Sequence, residues 1–278
     1  MTSFIDDRAL HTLCCQGKLF ELLGECDRLM DEARTRFGEL HEETAHATAW
    51  LSDAHYELAN FEKAAELRFE CVAHARRLYG AESKEVVRAL HMACLPQLAM
   101  ERTTEAESFI RDALQLFAKL SPQDRFESWD PAFVMGAICV EKGEWREAER
   151  LFLRCLHHRL RSLEHYFKGS FNWTDYTLGS IFGWLSRVYQ GQGKLCASER
   201  ALRKSLRLLR SNRVVSRIHE ARALQRLGAI QAAQGQRIDA IASLNEAKRV
   251  MANLLPGYQH TYDSIHKQLQ ALEYSPVA

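Results

Sequence analysis

His41-Glu42-Glu43-Thr44-Ala45-His46 brings together the residue types of a helical zinc hydrolase, two imidazoles around glutamates. That chemistry needs histidines four residues apart, so that both rings leave one side of a helix and meet a single ion. Here they are five apart, and the segment reads instead as a turn running into a helix start, with Thr44 near the cap. His157, His158, Glu164 and His165 form the other histidine group. Adjacent side chains diverge on a helix, so His157 and His158 do not chelate as a pair. Eight cysteines occur without a C-x-x-C pair, and a chain of 278 residues has core enough to hold together without disulfide staples. Cys26, Cys71, Cys94, Cys139 and Cys155 fall where small apolar packing residues belong. G-x-x-x-x-G-K-[ST], G-x-S-x-G and G-x-G-x-x-G are all absent, and with them the phosphate cradle and the nucleophile elbow. The expectation is a protein that is not an enzyme, with no catalytic residues, no metal and no cofactor.

What remains is chemistry by contact. Arg200, Arg203, Lys204, Arg207 and Arg210 fall on one side of a helix, opposite Ala201, Leu202, Leu206 and Leu209. Such a stripe suits an acidic protein segment, nucleic acid or anionic lipid, or is simply a solvated outer surface. Few aromatics interleave with it, which argues against single-stranded nucleic acid. A second group lies in residues 157–176, where Tyr166, Phe167, Phe171, Trp173 and Tyr176 surround Gly169-Ser170. These aromatics either form a recognition loop or lengthen two helices and pack on them.

The elements that must carry these residues repeat along the chain. Gly143-Glu144-Trp145 with Ala148 returns as Gly17-Lys18-Leu19 with Leu22, Gly193-Lys194-Leu195 with Ser198, and Gly235-Gln236-Arg237 with Ala240. Degenerate copies end at Ala64 and Ala106, so the reference positions are separated by 42, 42, 42, 50 and 42 residues. Each unit shows two runs of apolar or small residues at i, i+3, i+4 and i+7, the mark of two amphipathic helices; in the fifth unit the first run is Phe182, Leu185, Ser186 and Tyr189. Glycine between the runs suits a helix end in the left-handed conformation. Phe61, Trp145 and Leu195 then stand just inside the second helix as apolar anchors. A single helix pair cannot bury both its faces, so neighbours must stack. The predicted fold is all-α, with repeats at about 3–40, 44–81, 86–121, 128–163, 178–214 and 220–256, and a capping helix at 261–273. Pro96 inside a first helix, and Ser121-Pro122 in place of a glycine turn, predict a distorted third unit.

This pattern resembles the tetratricopeptide repeat, and its 42-residue period resembles the kinesin light chain type, with turns Phe37-Gly38-x-x-His41, Tyr79-Gly80-Ala81-Glu82-Ser83 and Gly257-x-x-His260. The resemblance implies one domain over residues 3–272, a right-handed superhelical solenoid whose first helices line a concave groove. It places His46, Trp50, Asp53 and Tyr56 of the second unit, His91 of the third and Phe133 of the fourth beside that groove. Trp184 and Arg187 of the fifth unit, and Arg222 and Arg226 of the sixth, take the corresponding places. Aromatic and arginine side chains dominate binding energy at interfaces.

The formal charge of +1 hides a division: residues 1–139 hold 15 basic and 24 acidic side chains, residues 140–278 hold 22 and 12. The N-terminus, with Asp6 and Asp7, is no secretory signal, and no window has eighteen uninterrupted apolar residues. The expectation is a cytoplasmic adaptor or scaffold that binds a protein or peptide in its groove. The alternatives are a regulatory sensor of a peptide or small ligand, and a scaffold that self-associates head to tail through its acidic and basic halves.

Overall fold

A computed structural model describes residues 4–127, 130–166, 173–211, 217–254 and 258–274. Fourteen helices and no strand occur among them, and no helix there is long and apolar enough to cross a membrane. The chain divides into two compact units, Met1–Cys14 with Leu19–Lys142, and Cys15–Lys18 with Gly143–Ala278.

The first unit holds α1 (Asp7–Cys15, save its last residue), α2 (Leu19–Phe37), α3 (Glu42–Glu57), α4 (Phe61–Tyr79), α5 (Lys84–Ala99), α6 (Thr103–Lys119), α7 (Pro122–Glu127) and α8 (Ala132–Glu141). From α2 to α6 each helix packs on the next, and α6 packs on α8. Leu90, Cys94, Ile110, Val134 and Ile138 belong to one continuous core there. The second unit holds α9 (Trp145–Tyr166), α10 (Trp173–Gly191), α11 (Leu195–Ser211), α12 (Arg217–Ala233), α13 (Arg237–Ala252) and α14 (Gln259–Tyr274), again packed in succession. Burial of Thr261, Ile265 and Leu269 fixes α14 over the last helix pair, as the capping role requires.

The period has a packing cause. All six reference positions, Leu22, Ala64, Ala106, Ala148, Ser198 and Ala240, are buried. Opposite four of them the first helix of the pair also carries a small residue, so the backbones approach closely. Ser52 donates to the Ala64 carbonyl at 2.9 Å, and the Cys94 thiol lies 3.4 Å from that of Ala106. A Cβ on Gly228 would stand 3.1 Å from the Ala240 carbonyl oxygen and 2.7 Å from Leu244. Ser198, the departure from alanine, is satisfied where it stands, because its hydroxyl donates to the Ser186 carbonyl at 2.7 Å.

The turns share one conformation. Gly17, Ala59, Glu101, Gly143, Gly193 and Gly235 all have positive φ, between 59° and 76°, and recur at the spacing of the reference positions. After four of them the next residue closes the helix by donating to the carbonyl five back: Asn60 to His55, Arg102 to Gln97, Lys194 to Tyr189 and Gln236 to Gln231, at 2.8–2.9 Å. Ala59 and Glu101 hold by context a conformation that glycine holds freely, at φ 61° and 59°. Ala59→Gly and Glu101→Gly are therefore expected to stabilise the protein by about 0.5–1 kcal/mol each. Urea unfolding checks this, and a loss of stability in both would contradict it.

Three details differ from expectation. Ser121-Pro122 opens a six-residue helix, α7, with the Ser121 hydroxyl accepting from the Asp124 amide at 3.1 Å and proline at the first position. In α10 it is Ile181, Leu185 and Val188 that are buried, while Phe182 and Tyr189 are half-buried. The helix α5 runs through Pro96 to Ala99 without a break, the proline standing in its last turn.

Candidate functional site

The first helices carry the candidate contact residues, and the two units use them differently. In the first unit most are engaged within the chain. Trp50 Nε1 donates to Asp7 Oδ1 at 2.7 Å, and His46 Nε2 lies 2.9 Å from the same oxygen, so one carboxylate of α1 ties both to the helix pair. Asp53 pairs with Arg68, a buried guanidinium on α4. The Tyr56 ring meets Phe61 edge-on at 5.4 Å. His91 is buried, and Phe133 packs against the core. Burial is the main force holding the His91 pKa down to about 4, the charge of Arg68 adding to it and that of Asp130 opposing it. His91 is therefore neutral near pH 7 and offers little surface to a partner.

The second unit presents a different surface. Trp184 lies on the fully buried Phe152 of α9, ring centroids 5.8 Å apart and planes 17° from parallel. The Arg187 guanidinium stands 4.6 Å above the Trp184 ring, a cation–π contact that holds both side chains in one orientation. One turn apart on α12, Arg222 is half-buried and Arg226 exposed. Together they help lower the His219 pKa to about 4, burial being the larger cause. A neutral imidazole thus stands beside two permanent cations. Gln225 Nε2 donates to Ser264 Oγ at 3.1 Å, joining α12 to the capping helix on this surface.

The basic stripe on α11 is exposed on the side opposite its buried Ala201, Leu202, Leu206 and Leu209. Its charge is partly spent within the chain. Arg203 pairs with Glu199 at 2.8 Å, and Arg210 bridges Glu220 and Glu246, each at 2.8 Å. The Lys204 ammonium stands 4.3 Å from the centroid of Phe182, which explains why that ring is only half-buried. Arg200 and Arg207 point outward, exposed.

Five of the eight cysteines are buried at the packing positions expected of them. Burial pushes the thiols of Cys26 and Cys94 up to about 12 and that of Cys71 to about 11, which keeps them protonated and unreactive. No group of three histidine, cysteine, aspartate or glutamate side chains among the described residues is placed to hold a metal ion. Glu164, His165 and the aromatic side chains of the insertion, Tyr166, Phe167, Phe171, Trp173 and Tyr176, lie outside those described. The flanking helices, α9 to Tyr166 and α10 from Trp173, do extend into that insertion.

No protein-family model matches the sequence, and no curated protein does. Solved structures share its fold. BtubC (BKLC) from P. vanneervenii is 16% identical, with a TM-score of 0.60 over 84% of this chain and 91% of that one. A Podosopora anserina putative kinesin light chain with nearly identical TPR-like repeats is 17% identical, with a TM-score of 0.50 over 77% of this chain and 98% of that one. The Rap conjugation gene regulator of the plasmid pLS20, solved in complex with the Phr* peptide, is 11% identical, with a TM-score of 0.62 over 97% of this chain and 75% of that one.

Proposed function

We propose that this array of tetratricopeptide-like helix pairs is a non-enzymatic interaction module of the cytoplasm, working as one domain over residues 3–272 and holding a segment of another protein against the first helices of its second unit. The observation that carries the reading is the Trp184–Arg187 pair stacked on Phe152, with Arg222 half-buried and Arg226 exposed on the first helix of the following repeat. A Trp–Arg pair held by Phe152 loses little side-chain freedom on binding, which favours it as an anchor. The arginines would take carboxylates of the segment and set its direction. The likeness in fold to a regulator solved in complex with a peptide supports a peptide as ligand.

Selection from a random peptide display library tests this. Selected peptides should lose affinity by about 30-fold, some 2 kcal/mol, with Trp184→Ala and again with the Arg222→Ala/Arg226→Ala pair. Thermal unfolding of the variants should stay close to that of the parent. Equal affinity for parent and variants would reject the surface, and a library that yields no binder would reject peptide capture.

A further inference from the structure

The turn at Gly17 differs from its counterparts in the other repeats. Gly17, Ala59, Glu101, Gly143, Gly193 and Gly235 share one backbone conformation, yet of these Gly17 is buried and the rest are exposed. What covers it is backbone: a Cβ on Gly17 would stand 2.5 Å from the Leu254 carbonyl oxygen, 3.1 Å from its carbon and 3.2 Å from the Leu254 Cα. The same atom on Gly193 or Gly235 would meet nothing within 4 Å. Leu254 lies just past the end of α13 and is itself buried, and its amide donates to the Met251 carbonyl at 2.8 Å. Tyr258, immediately before the capping helix α14, is among the largest fully buried side chains. The turn Cys15–Lys18 accordingly belongs to the second compact unit, although α2 and all of α1 but Cys15 belong to the first.

We infer that this turn is a strap: it docks on the backbone at Leu254, holds the entry to α14 in place, and comes away as a unit. Glycine alone fits between the turn and the carbonyl, so the docked state is close-packed and specific. The undocked state needs no new structure, because the sister turns keep the same conformation, with φ between 59° and 76°, while exposed. Docking and undocking therefore exchange one buried contact and leave the local fold alone, as a switch between two states of similar energy requires. The element under its control is the capping helix. Gln225 of α12 reaches α14 at Ser264, more than one turn inside that helix, so an undocked strap loosens α14 from its start and leaves this tie in place. The inference does not depend on whether the surface at Trp184, Arg187, Arg222 and Arg226 takes a peptide.

Hydrogen exchange of the full chain, with Gly17→Ala set beside Gly235→Ala, tests the inference. Both substitutions place alanine at nearly equal positive φ, 72° and 76°, and so carry similar backbone strain. The first also drives a Cβ into the Leu254 carbonyl, which cannot swing aside as the tip of a side chain does. Exchange over residues 253–262 should quicken by about tenfold in Gly17→Ala and stay at the parent rate in Gly235→Ala. Gly17→Asn and Gly235→Asn repeat the comparison with a residue that tolerates this conformation, so the result does not depend on the alanine variant folding. Parent-like exchange over residues 253–262 in the Gly17 variants would overturn the inference. Equal quickening in the Gly17 and Gly235 variants would do the same, because turn strain would then account for it. So would quickening spread evenly over the whole chain, which marks a global loss of stability and no release of a strap.

Discussion

Cutting Phe152 back to alanine is expected to lower stability by about 3–5 kcal/mol, the range for a large buried aromatic whose site cannot collapse around the gap. Phe152 has no exposed surface and stands at i+4 from Ala148, the reference position of its repeat. Its ring faces the first helix of the next pair, where Trp184 is stacked on it. The loss should appear twice, as a lower urea midpoint and as a weaker grip on any peptide that uses Trp184. Phe152→Leu, which keeps most of the volume, should lose much less stability while still freeing the indole. A Phe152→Ala protein within about 1 kcal/mol of the parent would show that the site repacks and that Phe152 is no support.

Mild acid is expected to have an effect of similar size. His91 is neutral in the fold, its pKa held near 4 mainly by burial, with Arg68 and Asp130 as the charged groups beside it. Unfolded, the same imidazole titrates near its ordinary value of 6.5. Between those values the unfolded chain binds a proton that the folded chain refuses. The stability His91 contributes is therefore complete above pH 6.5 and is lost as pH falls toward 4. The loss is on the order of 3 kcal/mol. His219, also held near 4, should add to it in the second unit. Urea midpoints at pH 7 and pH 4.5 check this. His91→Gln should be less stable at pH 7 yet lose less on acidification, and an unchanged acid slope would contradict the assignment.

Much of the fold was legible in the sequence because one physical requirement repeats. Two helices can touch only where both are small, so Ala64, Ala106, Ala148 and Ala240 recur in register, and the turns before them recur with positive φ. Ala59 and Glu101 show that the register determines the conformation even where the residue type gives no sign of it. Periodicity was a poorer guide within a helix. One residue advances the face by about 100°, so placing Phe182 and Tyr189 in the core instead of Ile181 and Val188 is a shift of a single position. The helix α7 was missed because six residues are too few to display a period. The candidate site was less legible still. The ties of Trp50 and His46 to Asp7 join residues about forty positions apart, and Asp7 stands in a segment with no motif. Composition marked the imbalance of charge but not its use, since the pairs of Arg203 and Arg210 depend on where Glu199, Glu220 and Glu246 fall in space.

The claim on which the functional account turns is that partners are held by the first helices of the second unit. Photo-crosslinking locates them most directly: a benzophenone side chain is placed at position 187 or 226 on the first helices, or at 207 on the outer surface of α11, and each protein is irradiated with a selected peptide. The account predicts labelled peptide at 187 and 226 and none at 207. Label at 207 with none at 187 and 226 would contradict it.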